Sequence, residues 1–178
     1  MNKENFVELV NQSKKFKKLA NDVSGAIPIC LRDIQQEKEM IEQDFVGYSH
    51  LCEKLQEAIQ EITASKNILL RIEEAAGKMN DHVIQLAETQ KRQSLNLYMK
   101  VYKTAVDELL HFWAMARKIE ELGEEAHSMC VNNAELNKVK TVIANRTSIF
   151  HECAKDLSVH LSSILNHLEL LSKELSAT

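Results

Sequence analysis

Two Glu-x-x-His pairs, Glu108–His111 and Glu124–His127, carry the side chains from which helical bundles build di-metal sites. Residues three apart share a helix face, so each pair could offer a carboxylate and an imidazole to one ion. A di-metal site needs such pairs on different helices, converging on one point. Here they lie 16 residues apart in one helix-forming run, roughly 24 Å along the axis. The inward glutamates that complete such a site are not evident, because the seam positions of the other helices are apolar. Both pairs are therefore expected on solvated faces, with no metal and no cofactor.

Cys153, His160 and His167 are spaced by sevens. They fall on one line of a helix at steps of about 10.5 Å, too long for one ion whose ligands sit about 2 Å away. They are expected along the edge of a packed seam; a sharper reading makes that seam pH-sensitive, because imidazole titrates near neutrality. His151-Glu152-Cys153 suggests a thiol nucleophile with its base. Consecutive helical residues point roughly 100° apart, so no local pair can form. The chain has no G-x-x-x-x-G-K-[ST], G-x-G-x-x-G or G-x-S-x-G, and too few glycines to cradle a phosphate. An enzyme is not expected, and no catalytic residue is assigned.

Two features suggest binding. Trp113 stands beside the apolar stripe that carries Phe112, and Tyr102 follows Tyr98 by one turn. An off-stripe aromatic either covers a neighbouring helix or anchors a partner, so Trp113 and Tyr102 are candidate partner contacts. Near the N-terminus, Phe6, Leu9, Val10, Phe16, Leu19, Ala20 and Val23 form an apolar face, with Lys14, Lys15 and Lys18 opposite and Lys17 beside it. A basic amphipathic helix of this kind suits an anionic membrane surface. Phe6, Lys14, Lys15, Lys17 and Lys18 are candidate membrane contacts. The plainer reading is that this face packs inside the fold.

The elements that hold these residues can be read from composition. Four glycines and one proline occur in 178 residues, too few for the turns of a sandwich, barrel or doubly wound sheet. Leu, Ile, Val and Phe make 50 residues, enough for a core, and no run of 18 apolar residues occurs. The expectation is an all-α single domain over 1–178. Ser24-Gly25-Ala26-Ile27-Pro28 reads as the end of a first helix at 3–24. Ile34, Ile41, Tyr48, Leu55, Ile62 and Leu69 recur every seven residues, with Phe45, Cys52 and Ile59 in a second seam that Lys38 and Lys66 interrupt. That repeat predicts a coiled-coil-like helix over 29–75. A third helix is expected over 78–131, continuous through the polar stretch 88–94. A fourth follows the Asn132-Asn133 turn, over 133–176, with a heptad on Leu136, Ile143, Phe150, Leu157, Ile164 and Leu171. The expected architecture is an elongated antiparallel bundle of three long helices with a short N-terminal one. The alternative breaks at Gly47 and 88–94 and gives a compact bundle of five or six helices.

The formal charge is −4, from 22 basic and 26 acidic side chains, a balance that argues against nucleic-acid binding. No secretory signal is evident at the N-terminus, so the four scattered cysteines are expected to be reduced, in a cytoplasmic protein. Paired stripes such as Leu69–Leu70 and Leu170–Leu171 suggest more apolar helix surface than one bundle buries. The functional expectation is a non-catalytic interaction or scaffold protein that presents helix faces to protein partners or to itself. The alternative is a peripheral membrane protein using the basic N-terminal helix.

Overall fold

The computed structural model describes residues 3–176. Among them are four α-helices of nearly equal length and no strand. They are α1 (Lys3–Asp44, 42 residues), α2 (Ser49–Thr89, 41), α3 (Arg92–Cys130, 39) and α4 (Asn137–Ser176, 40). A 3-10 turn at Ala134–Leu136 precedes α4; Asn133 caps it by accepting a 2.9 Å hydrogen bond from the Glu135 amide.

The expected short first helix is corrected. α1 continues through Gly25 and Pro28, both exposed. Phe16, Ala20, Val23, Ile27, Cys30, Ile34 and Ile41 are all buried, and with Glu37 they keep an unbroken alternation of four- and three-residue steps. Burying one large apolar side chain is worth about 1.5–3 kcal/mol, while an interior proline costs about 3 kcal/mol. Several burials therefore outweigh Pro28. Its missing N–H frees the Ser24 carbonyl on a side of the helix that water can reach.

The helix expected over 29–75 is also corrected. The chain turns at 45–48, where Gly47 takes φ +94°, a conformation that favours glycine. Phe45 and Tyr48 meet edge-on at 6.0 Å. Asn133 Nδ2 donates to the Tyr48 hydroxyl, tying this turn to the α3–α4 connection. The expected continuity through 88–94 fails as well. Gln90 adopts φ +50° and its amide donates to the Leu86 carbonyl at 2.8 Å. The Thr89 and Ser94 hydroxyls hydrogen-bond across the turn at 2.8 Å.

The helical segments form two compact units. Unit 1 comprises residues 3–23, 68–110 and 155–176 of the described chain; unit 2 comprises 24–67 and 111–154. In unit 1, Asn5 bonds Glu174 (2.9 Å), Asn80 the Ser13 carbonyl (3.1 Å), Arg71 Glu108 (2.9 Å) and Tyr102 the Leu161 carbonyl (3.1 Å). These contacts set the neighbours as α1–α2, α2–α3, α3–α4 and α4–α1, antiparallel throughout. Ser13 and Tyr98 join α1 to α3 through the core, hydroxyl to hydroxyl, at 2.6 Å. In unit 2, Arg146 pairs with Asp33 (2.8 Å), Lys54 with Glu125 (2.7 Å) and Lys118 with Glu61 (2.7 Å), and the Phe112 and Phe150 rings lie 6.5 Å apart.

Unit 2 contains the one tight backbone approach that a glycine makes. A Cβ on Gly123 would lie 2.0 Å from Thr147 Oγ1. Along α4 the buried positions run Val139, Ile143, Thr147 and Phe150, two four-residue steps in succession. Such a stutter rotates the buried line locally, and it brings Thr147 rather than Arg146 onto the core side.

Candidate functional site

The two Glu-x-x-His pairs stay on outer faces of α3. Glu108 pairs with Arg71; His111 and Glu124 are exposed and His127 is half-buried. No cluster of three or more metal-ligating side chains occurs among the described residues. Cys153, His160 and His167 are all half-buried along one edge of α4. The same edge carries Glu174, which Asn5 places beside α1. His167 Nδ1 and Glu174 Oε2 are buried there without a hydrogen-bond partner among the described residues.

Three of the four thiols are shifted by their surroundings. Burial pushes Cys30, Cys52 and Cys130 above their ordinary value; a nearby cation, Arg146, Lys38 or Lys140 respectively, opposes it less strongly. A thiol so raised stays protonated near neutrality. Burial likewise raises the Tyr98 phenol, and its bond to Ser13 offsets only part of that.

The two aromatic candidates are both engaged within their units. Tyr102 is 8% exposed, its hydroxyl held by the Leu161 carbonyl. Trp113 is half-buried, edge-on to His151 at 5.0 Å, and His151 approaches Glu120 at 3.6 Å. Tyr102 thus has no contact surface to offer, and Trp113 offers part of one.

On α1, Phe6, Leu9 and Phe16 belong to the core of unit 1. Lys14, Lys15, Lys17 and Lys18 are exposed and make no ion pair among the described residues. The expected second seam of Phe45, Cys52 and Ile59 is corrected: of these only Ile59 is buried. Lys66, expected to interrupt it, is exposed, and Lys38, the other interruption, pairs with Glu42 at 3.0 Å. The buried positions are instead Glu37, Leu51, Ala58 and Ser65.

What sequence reading missed is a groove between α1 and α2 in unit 1. Lys3, Phe6, Val7, Val10, Asn11, Ala87 and Gln90 line a volume of about 330 Å³. Val7 is 59% exposed, and Ile84, nearly one turn before Ala87, is 46% exposed. Lys14 and Lys17 continue the lines of Val7 and Val10 one heptad further along α1. The result is an apolar strip with Lys3 in its lining and lysines following it on the same lines of α1. Val7 lies one position past Phe6 and outside the apolar face of Phe6, Leu9, Val10 and Phe16, so spacing along that face leaves it out; spacing each apolar residue against both neighbouring helices separates the two.

No helix among the described residues is long and apolar enough to cross a membrane. No family model, no curated protein and no solved structure matches the chain.

Proposed function

We propose that the protein is a non-catalytic interaction module, a helical scaffold that presents outer helix faces to other proteins or to a second copy of itself. The observation that carries this reading is the division of adjacent leucines. Leu69 is fully buried while Leu70 is 57% exposed; Leu171 is fully buried while Leu170 is 47% exposed. Scattered apolar side chains are ordinary on a protein surface, but contiguous ones mark contact sites. Val7, Val10 and Ala87 are contiguous across two helices, and Ile84, nearly one turn before Ala87 on α2, is 46% exposed.

A membrane contact through α1 is the second reading. It retains the exposed lysines, but Phe6 and Phe16 are committed to the core. That leaves Val7 and Ile29 as the large apolar groups on α1 exposed enough to enter a lipid interface.

Affinity capture from cells that make the protein tests the module. Tagged wild type is compared with a Val7→Lys/Ile84→Lys variant, both verified as helical by circular dichroism. The expected result is a set of proteins retained by wild type and lost with the variant. Identical profiles would overturn this reading of the groove.

A further inference from the structure

We propose that the α1–α2 groove of unit 1 receives the α1–α2 turn of unit 2 from a second copy of this chain. The inference rests on the interaction reading above and names one occupant of its surface. The turn is built to project. Phe45 and Tyr48 pack on each other, Tyr48 is tied to Asn133, and Gly47 supplies the left-handed corner. This leaves Val46 99% exposed at the tip. A fully exposed aliphatic side chain on an anchored turn is a knob without a hole in its own unit.

Charge points the same way. The last turn of α1 holds Asp44 and contains no basic residue. Glu42 stands close by, and Glu39 just before it. Negative charge at a helix C-terminus opposes the helix dipole, so this end gains from an external cation. Lys38 answers Glu42, but neither Glu39 nor Asp44 has an ion-pair partner among the described residues. The groove offers the complement: an apolar strip of Val7, Val10 and Ala87 that a valine fits, with Lys3 in its lining and the exposed Lys14 and Lys17 one heptad further along α1. Over the whole chain, unit 1 carries 13 basic and 12 acidic side chains and unit 2 carries 9 and 14. Unit 1 is thus nearly neutral and unit 2 acidic, and the attraction of an acidic turn to exposed lysines steers association and weakens with salt. The contact is heterologous, turn into groove, so it adds further copies unless the rotation closes a ring. One turn in one groove buries little area, which places the affinity in the range of weak, concentration-dependent association.

Sedimentation velocity over roughly 10 µM to 1 mM protein, at about 50 mM and about 500 mM salt, tests this. Wild type is expected to rise above the 20.3 kDa monomer with concentration at low salt, and less at high salt. Val46→Asp removes no packing and should remain monomeric with unchanged helicity. Lys14→Glu/Lys17→Glu should weaken association about tenfold or more, and adding Glu39→Lys/Asp44→Lys in the same chain should restore it. A wild type monomeric at every concentration overturns the inference, as does self-association that Val46→Asp leaves intact. So does a wild type that stays monomeric while pelleting with vesicles of mixed neutral and anionic phospholipid. In each case the interaction module stands or falls separately, on whether capture depends on Val7 and Ile84.

Discussion

The two units share a rule and differ in what interrupts it. Both place buried residues at alternating three- and four-residue steps on four antiparallel segments. Unit 1 joins polar groups across its centre: Ser13 bonds Tyr98 and its own Leu9 carbonyl, and Asn80 reaches the Ser13 carbonyl, while at its α4 edge His167 Nδ1 and Glu174 Oε2 have no hydrogen-bond partner among the described residues. Unit 2 is set apart by its thiols and by one very close helix approach. It holds all four cysteines, the buried Glu37 with an unpartnered Oε2, and the Gly123–Thr147 approach at the stutter. A satisfied polar pair in a core fixes which residues face each other; a glycine contact fixes only how close two backbones come. The difference teaches where each unit is sensitive: unit 1 to lost hydrogen bonds, unit 2 to added volume.

The largest expected effect is therefore steric and lies in unit 2. Gly123→Ala puts a methyl group 2.0 Å from Thr147 Oγ1, and should destabilise by about 2 kcal/mol or more in urea unfolding, despite alanine's better helix propensity. Adding Thr147→Ala should recover part of the loss. If Gly123→Ala is neutral, the contrast between the units fails at its clearest point.

Tyr98→Phe in unit 1 comes next. It deletes the hydroxyl contact with Ser13 and should cost about 1–1.5 kcal/mol at neutral pH. The pH dependence sharpens the test. The folded phenol is raised by burial above the value it has when unfolded, so the neutral form is favoured by folding. Stability is fully present below about pH 10 and falls as pH rises above it, by at most about 1.4 kcal/mol per unit. Melts at pH 9 and pH 11 should show a steeper loss for wild type than for Tyr98→Phe. Equal slopes would remove Tyr98 from the account.

Smaller effects have the opposite sign. Gly77→Ala in unit 1 meets nothing within 4 Å, and should stabilise by about 0.5–1 kcal/mol through helix propensity. Set beside Gly123→Ala, it separates a permissive glycine from a required one. Gln90→Gly should relieve the left-handed backbone at the α2–α3 turn, worth a gain of up to about 1 kcal/mol by thermal denaturation.

Much of this was legible in the residues, and the failures have physical causes. The all-helical class follows from the scarcity of glycine and proline, and the Asn132–Asn133 turn from its asparagines. Gly25 and Pro28 misled because breaker residues were weighed above an apolar rhythm that crosses them without a phase change. The turn at 45–48 enters the sequence reading only through the alternative break at Gly47, because Ile41, Tyr48 and Leu55 keep a seven-residue spacing through it. The Gln90 turn falls in the polar stretch 88–94 where the alternative places a break, but that stretch holds no glycine or proline to outweigh a continuous helix. In the candidate site, the lysines were read from spacing. The groove was not, because it depends on which outer residues of α1 meet which of α2, and pairing between helices is not encoded in either one alone.

Cross-linking mass spectrometry in cells, with a lysine-reactive reagent, tests most directly whether the α1–α2 groove is the surface this protein presents. Lys54 and Lys118 of unit 2 are engaged in 2.7 Å ion pairs, whereas Lys14 and Lys17 make none among the described residues. Intermolecular cross-links should concentrate on Lys3, Lys14 and Lys17 and be lost from these positions in the Val7→Lys/Ile84→Lys variant. Cross-links spread evenly over the lysines of both units, or unchanged in the variant, would contradict it.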